Sequence, residues 1–361
     1  MEFGLTEEQR MLQESVSGYL GSACALPRVR EAADAGDTKP ADVWEGLAQL
    51  GVQGIVTPEN HGGVGLSMLD AALVAEALGG AAAPAPFVAS CVMAPVALTR
   101  AGSAAQREAW LAPIASGEAV LGVGLTEQIG RRESVGIAVD NGRLTGRAMF
   151  VLDGMDADAL IVADNDGAMH LARAADTDRR ALITIDRTRS VAEVVFDAVP
   201  ADVLPGSVAD REPLLATIDA GRIMLAADTL GAAQTMLDQA VAYAKERRQF
   251  NRVIGSFQAV KHLCAEMAAA LEPCRSLVWY AGHAVRAVPE ESRLMACHAK
   301  AHLSEVGRFV ARTATEVHGG MGFTDLLGLH YWFKRIGFDR QMLGAPEIVR
   351  EEAAVAQDWI A

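Results

Sequence analysis

The C-terminal part of the chain contains three helical stretches that are much longer than the helices of an ordinary globular domain. They cover residues 214–245, 256–288 and 291–318, and a shorter segment follows Pro346. An average α-helix has only about 11–12 residues. Long helices with short connections bury their apolar faces by packing against each other in antiparallel pairs. The pattern therefore predicts an antiparallel four-helix bundle over residues 211–361.

The residues before this bundle divide into two further parts. Residues 1–118 carry helical signals, beginning with a capping box formed by Thr6 and Gln9. Residues 119–210 instead contain short β-prone runs, VLGVGL, RLTGRAMFVL, ALIVAD, ALITI and VAEVVF, separated by turns such as 140–142 and 165–167. We therefore expect an α+β protein with an N-terminal helical domain, a middle antiparallel β domain and the C-terminal bundle.

Composition excludes several classes of protein. The chain has 32 basic and 46 acidic side chains, a net charge of −14, so it lacks the positive charge that a nucleic-acid binder needs. Its five cysteines are scattered without a CxxC pair, which favours reduced thiols in the cytoplasm. Residues 77–99 are uncharged, but Pro84, Pro86 and Pro95 interrupt them, so we expect a buried segment and no membrane span.

Five sequence elements occur in an order that is similar to the acyl-CoA dehydrogenase family. They are TEEQRMLQESV near the start, PENHGG followed by VGLS, residues 106–118, ERRQFNRVIGSFQAVKHLCAEM and TEVHGGMGFT. The chain resembles this family over essentially its whole length. The resemblance implies the three-domain fold given above, an FAD cofactor and the α,β-desaturation of an acyl-CoA thioester.

One half of the FAD site is retained in this resemblance. In the family, an arginine and a phenylalanine of an RxxF element bind the flavin cofactor of a neighbouring subunit, and Arg247 and Phe250 occupy these positions, with Gln249 and Phe257 close by. A guanidinium group suits pyrophosphate and an aromatic ring suits the flavin edge. Asn251 replaces the usual glycine of this element. A solvated helix end is the alternative interpretation of Arg247.

The TEVHGGMGFT element supplies the second part of this retained half. Gly319 and Gly320 allow backbone amides to approach a ligand closely. Glu316 stands where the family usually has glutamine. A simple helix-terminating turn is the alternative interpretation of the two glycines.

The other half of the FAD site is poorly retained. Thr126 matches the family threonine that binds the flavin ring, but Arg132 stands where the family has a phosphate-binding serine. Phe150 and Leu152 align with a tryptophan and a threonine, and two hydrogen-bonding side chains are thereby lost. Arg131 and Arg132 have two interpretations, a phosphate site for CoA and a solvated loop.

No carboxylate stands where the family has its catalytic base. Desaturation needs a base that removes the α-proton. Leu343 occupies the usual position of the glutamate, just before Gly344, and Gly221 occupies the position that a minority of the family uses. Four other carboxylates are candidates for a displaced base, namely Asp219, Asp325, Asp339 and Glu347. His298 and His302 are four residues apart, but no third metal ligand accompanies them, so no metal site is predicted.

These observations lead to one hypothesis and two alternatives. The chain is interpreted as the non-catalytic subunit of a hetero-oligomeric, α2β2 acyl-CoA dehydrogenase. It would complete FAD sites on a homologous catalytic subunit, with a steroid side-chain thioester as the suggested substrate and electron-transfer flavoprotein as the expected acceptor. The first alternative is a self-sufficient homotetramer with a displaced base. The second is a non-catalytic acyl-CoA-binding or scaffold protein.

Overall fold

The computed structural model describes residues 4–130 and 132–360, and it begins with a group of helices. The first helix is capped as the sequence predicts, because the Thr6 hydroxyl accepts from the Gln9 amide and the Gln9 side chain accepts from the Thr6 amide. Two further helices, at residues 68 and 104, begin with the same reciprocal arrangement. The six helices are α1 Glu7–Ala23, α2 Leu26–Ala35, α3 Ala41–Gln49, α4 Met68–Gly80, α5 Ala94–Ala101 and α6 Ala104–Ser116.

The uncharged segment of residues 77–99 lies inside this helical region. It contains the end of α4, a proline-containing loop, a π-helical turn Phe87–Met93 and the start of α5. All seven residues of the π-helical turn are buried, as a segment inside the core should be. Within the described residues, we find no helix with the length and apolarity that crossing a membrane requires.

A seven-stranded sheet follows the N-terminal helices. Its spatial order is β2-β3-β1-β4-β5-β7-β6, and an additional pairing between β3 and β7 closes five of the strands into a ring. All pairs are antiparallel except β1 and β4, which are parallel, so the prediction of a purely antiparallel sheet is wrong at this pair. The strands are β1 Leu121–Gly124, β2 Gly136–Asp140, β3 Arg143–Leu152, β4 Ala159–Ala163, β5 Met169–Arg173, β6 Asp178–Ala181 and β7 Val191–Val203.

The C-terminal region consists of three long helices and two shorter ones. Helices α7 Glu212–Glu246, α8 Gln258–Ala287 and α9 Pro289–His318 correspond closely to the three long stretches of the sequence. A small hairpin, β8 Arg248–Gln249 and β9 Arg252–Val253, connects α7 to α8. Helices α10 Leu329–Gln341 and α11 Pro346–Ala356 complete the bundle, and of these the sequence analysis predicts only α11.

This architecture confirms the predicted fold class, with helices, a β domain and a helical bundle in that order. The division proposed from the sequence places its boundaries at 118/119 and 210/211. The first boundary falls between α6 and β1, and the second falls between β7 and α7.

Candidate functional site

The residues predicted to bind a neighbour's FAD lie at one end of the bundle. Helices α7 and α9 run in the same direction and α8 returns between them, so the ends of α7 and α9 and the start of α8 share that end. A ring contact joins the two helix ends, because Tyr243 and His318 have ring centroids 4.7 Å apart. The structure therefore brings the β8–β9 hairpin and the Gly319–Gly320 turn to the same end.

The hairpin presents an exposed aromatic side chain at its tip. Phe250 and Asn251 form a two-residue turn with φ values of +52° and +61°, which is the pattern of a type I′ hairpin. Asparagine tolerates the left-handed region better than other residues except glycine, so Asn251 preserves the turn where the family has glycine. The Phe250 side chain is 87% exposed.

Other side chains of the hairpin form a small aromatic and cationic group. The Phe250 and Phe257 rings meet edge to face with centroids 6.1 Å apart, and the Arg252 guanidinium lies 3.9 Å from the Phe257 centroid. Arg247 and Gln249 are exposed, and their side chains form no hydrogen bond with a described residue. The hairpin therefore offers a flat apolar ring and free donors to a ligand or a neighbouring chain.

The glycine turn leaves open surface beside the hairpin end. Gly319 has φ +59° and ψ −139°, a conformation that side-chain-bearing residues avoid. A Cβ placed on Gly319 or Gly320 would meet no atom within 4 Å. Packing within this chain therefore does not require glycine at position 320. The Glu316 side chain is exposed one turn earlier on α9.

Thr126 lies in a different place, which we call the inner cleft. This cleft of about 560 Å³ lies between the sheet and the α10–α11 connection. Its walls are mainly apolar, and they include Ile129, Phe150, Ile183, Ile185, Phe338 and Leu343. The size is typical of a small-molecule site.

The polar groups of the inner cleft are largely occupied by each other. The Thr126 hydroxyl donates to the Met149 carbonyl (2.9 Å), and it accepts from Nη1 of Arg132 (3.3 Å). The same Arg132 nitrogen contacts Oε1 of Glu127 at 3.3 Å. The guanidinium lies 5.0 Å from the Phe150 ring centroid. Leu152 is buried away from this cleft, and Arg131 lies outside the described residues.

The two positions that the family uses for its base are in contact. A Cβ placed on Gly221 would overlap Cδ1 of Leu343 and Sδ of Met93. Residues 122 positions apart in the sequence therefore converge at one point, as the resemblance implies for two alternative base positions. Neither side chain at this point can accept a proton.

Two buried cations hold the loop that carries Leu343. Leu343 has φ +56°, and its carbonyl accepts from Nε of Arg222 at 2.9 Å. The Lys300 ammonium donates to the carbonyls of Arg340 and Gly344, both at 3.1 Å. Arg222 and Lys300 were not singled out by the sequence analysis, although Arg222 lies one helical turn from Asp219 and faces the same side of α7.

The four carboxylates considered as displaced bases all have cationic partners. Asp325 is exposed near Arg30 and His330, and Glu347 lies 3.3 Å from Arg340. Asp339 is almost completely buried and lies 2.9 Å from Arg189. None of these three carboxylates is among the described residues that line the inner cleft.

Asp219 lines a second cleft of about 460 Å³. Both of its oxygens lie 2.9 Å from Nη1 of Arg293, while Arg222 and Arg293 also share Glu352 of α11. Burial raises the pKa of Asp219 to about 6, although Arg293 and Arg222 oppose the shift. Asp219 faces α9 and α11, whereas Gly221 faces Leu343, so this carboxylate points away from the base position.

Comparison with known proteins identifies the family. Residues 6–118 match the acyl-CoA dehydrogenase N-terminal domain, and residues 213–356 match the acyl-CoA dehydrogenase C-terminal domain. The acyl-CoA dehydrogenase IpdE2 of Mycolicibacterium smegmatis (strain ATCC 700084 / mc(2)155) is 30% identical over 354 residues, covering 97% of this chain and 100% of its own length. The chain belongs to the acyl-CoA dehydrogenase family.

Two solved structures extend the similarity to the whole fold. The ChsE4–ChsE5 complex of Mycobacterium tuberculosis contains a chain that is 26% identical, with a TM-score of 0.91 and complete coverage of both chains. The Tcur3481–Tcur3483 steroid acyl-CoA dehydrogenase G363A variant is 27% identical, with a TM-score of 0.85 and 98% coverage of each chain.

Members of this family are FAD-dependent, and the two halves of the site differ in how well they fit FAD. The bundle end fits, because Arg247 and Gln249 have free donors and Gly319 and Gly320 leave open space. The inner cleft does not fit a flavin ring, because the Arg132 guanidinium lies over the Phe150 ring and donates a hydrogen bond to the Thr126 hydroxyl.

Proposed function

We propose that this chain is the non-catalytic subunit of a hetero-oligomeric acyl-CoA dehydrogenase. The contact between Leu343 and Gly221 carries this proposal, because it places two residues without titratable side chains at the point where a base would act. The catalytic base and the flavin ring would then belong to a homologous partner subunit, in an α2β2 assembly.

The contribution of this chain would be the outer part of the partner's FAD site. Arg247 and Gln249 would bind the cofactor's pyrophosphate, and Phe250 and Phe257 would cover its apolar part. The main-chain amides near Gly319 and Gly320, together with Glu316, would complete the surface. The exposure of Phe250 supports this role. Binding of a ligand or subunit over this aromatic ring would remove apolar surface from water, which is favourable.

The substrate and the other partners form a finer part of the proposal. Because the related Tcur3481–Tcur3483 protein is a steroid acyl-CoA dehydrogenase, we propose a steroid side-chain acyl-CoA thioester as the substrate. Electron-transfer flavoprotein is the proposed electron acceptor, and the cytoplasm is the proposed location.

A self-sufficient enzyme is the second candidate, and Asp219 is the observation that favours it. This carboxylate lines a cleft, and its pKa is raised to about 6, closer to the value that a general base needs near neutral pH. Its two bonds to Arg293 and its orientation away from Leu343 count against it. A scaffold or acyl-CoA-binding protein without FAD is a third candidate.

Flavin absorbance of the purified chain, alone and co-expressed with a homologous subunit that has the glutamate, distinguishes these candidates. We expect flavin only in the complex, at about one FAD for each pair of chains. Arg247→Met in the complex should lower the flavin content. Arg286→Met, an exposed arginine at the opposite end of the bundle, should not. Full flavin occupancy in the chain alone would contradict the proposal, as would a complex that never binds FAD.

A further inference from the structure

The inner cleft has an unusual distribution of charge for this protein. The chain carries a net charge of −14, yet no acidic residue is among the described residues that line the cleft. Arg132 is the one charged side chain in that described lining. A cleft with apolar walls and a single cation attracts a ligand with an apolar body and one negative group.

The Arg132 guanidinium retains donors for such a ligand. Only its Nη1 is engaged, by Thr126 and Glu127, whereas Nε and Nη2 form no hydrogen bond with a described residue. The side chain is 41% exposed, so the free donors are accessible to a ligand. A bond between a guanidinium and a carboxylate, sulfonate or phosphate is among the stronger hydrogen bonds in proteins.

The apolar walls of the cleft are left uncovered. Ile183 is fully exposed and Ile185 is 57% exposed, although both line the cleft. Phe150 and Leu343, which also line it, have left-handed backbones with φ +54° and +56°. Backbone conformations of this kind concentrate at ligand sites. Covering the isoleucines with a hydrocarbon ligand would be favourable by about 25 cal/mol for each Å² removed from water.

The cleft is also separated from the second cleft. Leu343 lines the inner cleft and Ala220 lines the second one, while Leu343 and Met93 together fill the space above Gly221 between them. A ligand of the inner cleft is therefore confined by this wall and does not reach Asp219.

We propose that the inner cleft is a ligand site of its own, which binds an amphipathic monoanion in the place where a flavin ring does not fit. The apolar part lies against Ile183, Ile185 and Phe338, and the anionic group binds Arg132. This site does not depend on the hetero-oligomeric assembly, so it stands or falls separately from the function proposed above.

Displacement of a fluorescent anion tests the site on the full chain. The probe is 1-anilinonaphthalene-8-sulfonate, and the competitors are octanoate and octan-1-ol, which share a hydrocarbon body but differ in charge. We expect one probe site per chain and displacement by octanoate at about tenfold lower concentration than by octan-1-ol, since a charge-assisted hydrogen bond contributes about 1.5–3 kcal/mol. Equal displacement by the two competitors would overturn the proposal.

Two exposed substitutions assign the probe site to this cleft. Arg132→Gln should weaken octanoate binding about tenfold and leave octan-1-ol unchanged. Ile185→Asp, which adds a negative charge to the wall, should weaken octanoate binding more than octan-1-ol binding. Arg173→Gln, an exposed arginine of β5 outside the cleft, is the matched control and should have no effect. An effect of the control equal to that of Arg132→Gln would contradict the assignment.

Flavin binding separates this inference from the proposed function. Added FAD should not displace the probe from the chain alone, and stoichiometric displacement would show that the cleft is a flavin site instead. In the co-expressed complex, Arg132→Gln should leave the flavin content unchanged, whereas Arg247→Met should lower it. A complex without any flavin would overturn the proposed function but leave the probe result standing.

Discussion

Leu343 adopts a left-handed backbone with the help of two buried cations. Arg222 binds its carbonyl, and Lys300 binds the carbonyls on either side of the loop, at residues 340 and 344. A left-handed conformation is unfavourable for a leucine by about 1–2 kcal/mol, so the surrounding bonds must compensate for it. The cations therefore fix the side chain of Leu343, which occupies the proposed base position, and they keep it against Gly221.

Lys300 makes the stability of the protein depend on pH. Burial lowers the pKa of Lys300 to about 7, with opposing effects from Asp339 on one side and from Arg222 and Arg340 on the other. Because the unfolded chain binds this proton more tightly than the folded chain, Lys300 contributes a rise in the free energy of unfolding above pH 7, whereas the buried Asp153 carboxyl, whose pKa is raised to about 8, contributes a fall up to that pH. The contribution of Lys300 should reach about 2 kcal/mol between pH 7 and pH 9, at up to 1.36 kcal/mol for each pH unit.

Urea denaturation at several pH values measures this slope. Lys300→Met should remove this contribution and so make the slope less positive than that of the unaltered chain, because the methionine side chain does not titrate. Lys261→Met, an exposed lysine of α8, should retain it and serves as the control. A slope in Lys300→Met equal to that of the unaltered chain would show that Lys300 is protonated to the same extent in the folded and unfolded chains.

At the scale of single elements, the β8–β9 hairpin depends on Asn251. The left-handed turn there accepts asparagine or glycine, so Asn251→Gly should preserve FAD binding in the complex. Asn251→Ala should raise the dissociation constant for FAD about fivefold, because alanine in this conformation costs about 1 kcal/mol. Asn60→Ala, at a surface position with an ordinary backbone, should have no effect. Equal FAD affinity in Asn251→Ala would mean that the turn geometry does not position Arg247 and Phe250.

The elements also show where sequence patterns were sufficient. The long helices were predicted to within about two residues, because a continuous helical pattern over some thirty residues has few alternatives. Helix α10 was missed, since its buried face includes the charged residues Arg335 and Asp339, which interrupt the apolar stripe in the sequence. The ALITI run was predicted as a strand, but only Ala181 belongs to β6, and Ile183 and Ile185 line the inner cleft instead.

The candidate site also contains features that the sequence pattern indicates and features that it does not. The motifs proposed to bind the cofactor could be found in the sequence because their residues lie close together, as Arg247 and Phe250 do, and their role stays a prediction. The same holds for Thr126, which the structure places on the wall of the inner cleft. Two contacts could not be predicted, because they depend on segments that fold together in ways a sequence pattern does not encode. They are the contact between Gly221 and Leu343 and the packing of the Arg132 guanidinium over the Phe150 ring.

At the scale of the whole molecule, one buried arginine joins the three parts of the chain. Arg335 of α10 binds both oxygens of Asp228 in α7, at 2.8 and 2.7 Å. It also donates to the Ala83 carbonyl in the loop after α4 and to the Thr188 hydroxyl just before β7. The side chain is only 2% exposed. A charge buried in this way is strongly coupled to its partners, so its removal should destabilise all three parts of the chain.

Arg335→Met should lower the free energy of unfolding by about 3–5 kcal/mol, because Asp228 keeps its burial but loses one of its two cations. Hydrogen exchange resolved by peptide should show lower protection in the N-terminal helices, in the sheet and in the bundle together. Arg308→Met, an exposed arginine paired with its neighbour Glu305, should change stability by less than about 1 kcal/mol. If the loss of protection is confined to α10, Arg335 stabilises that helix alone and does not join the three parts.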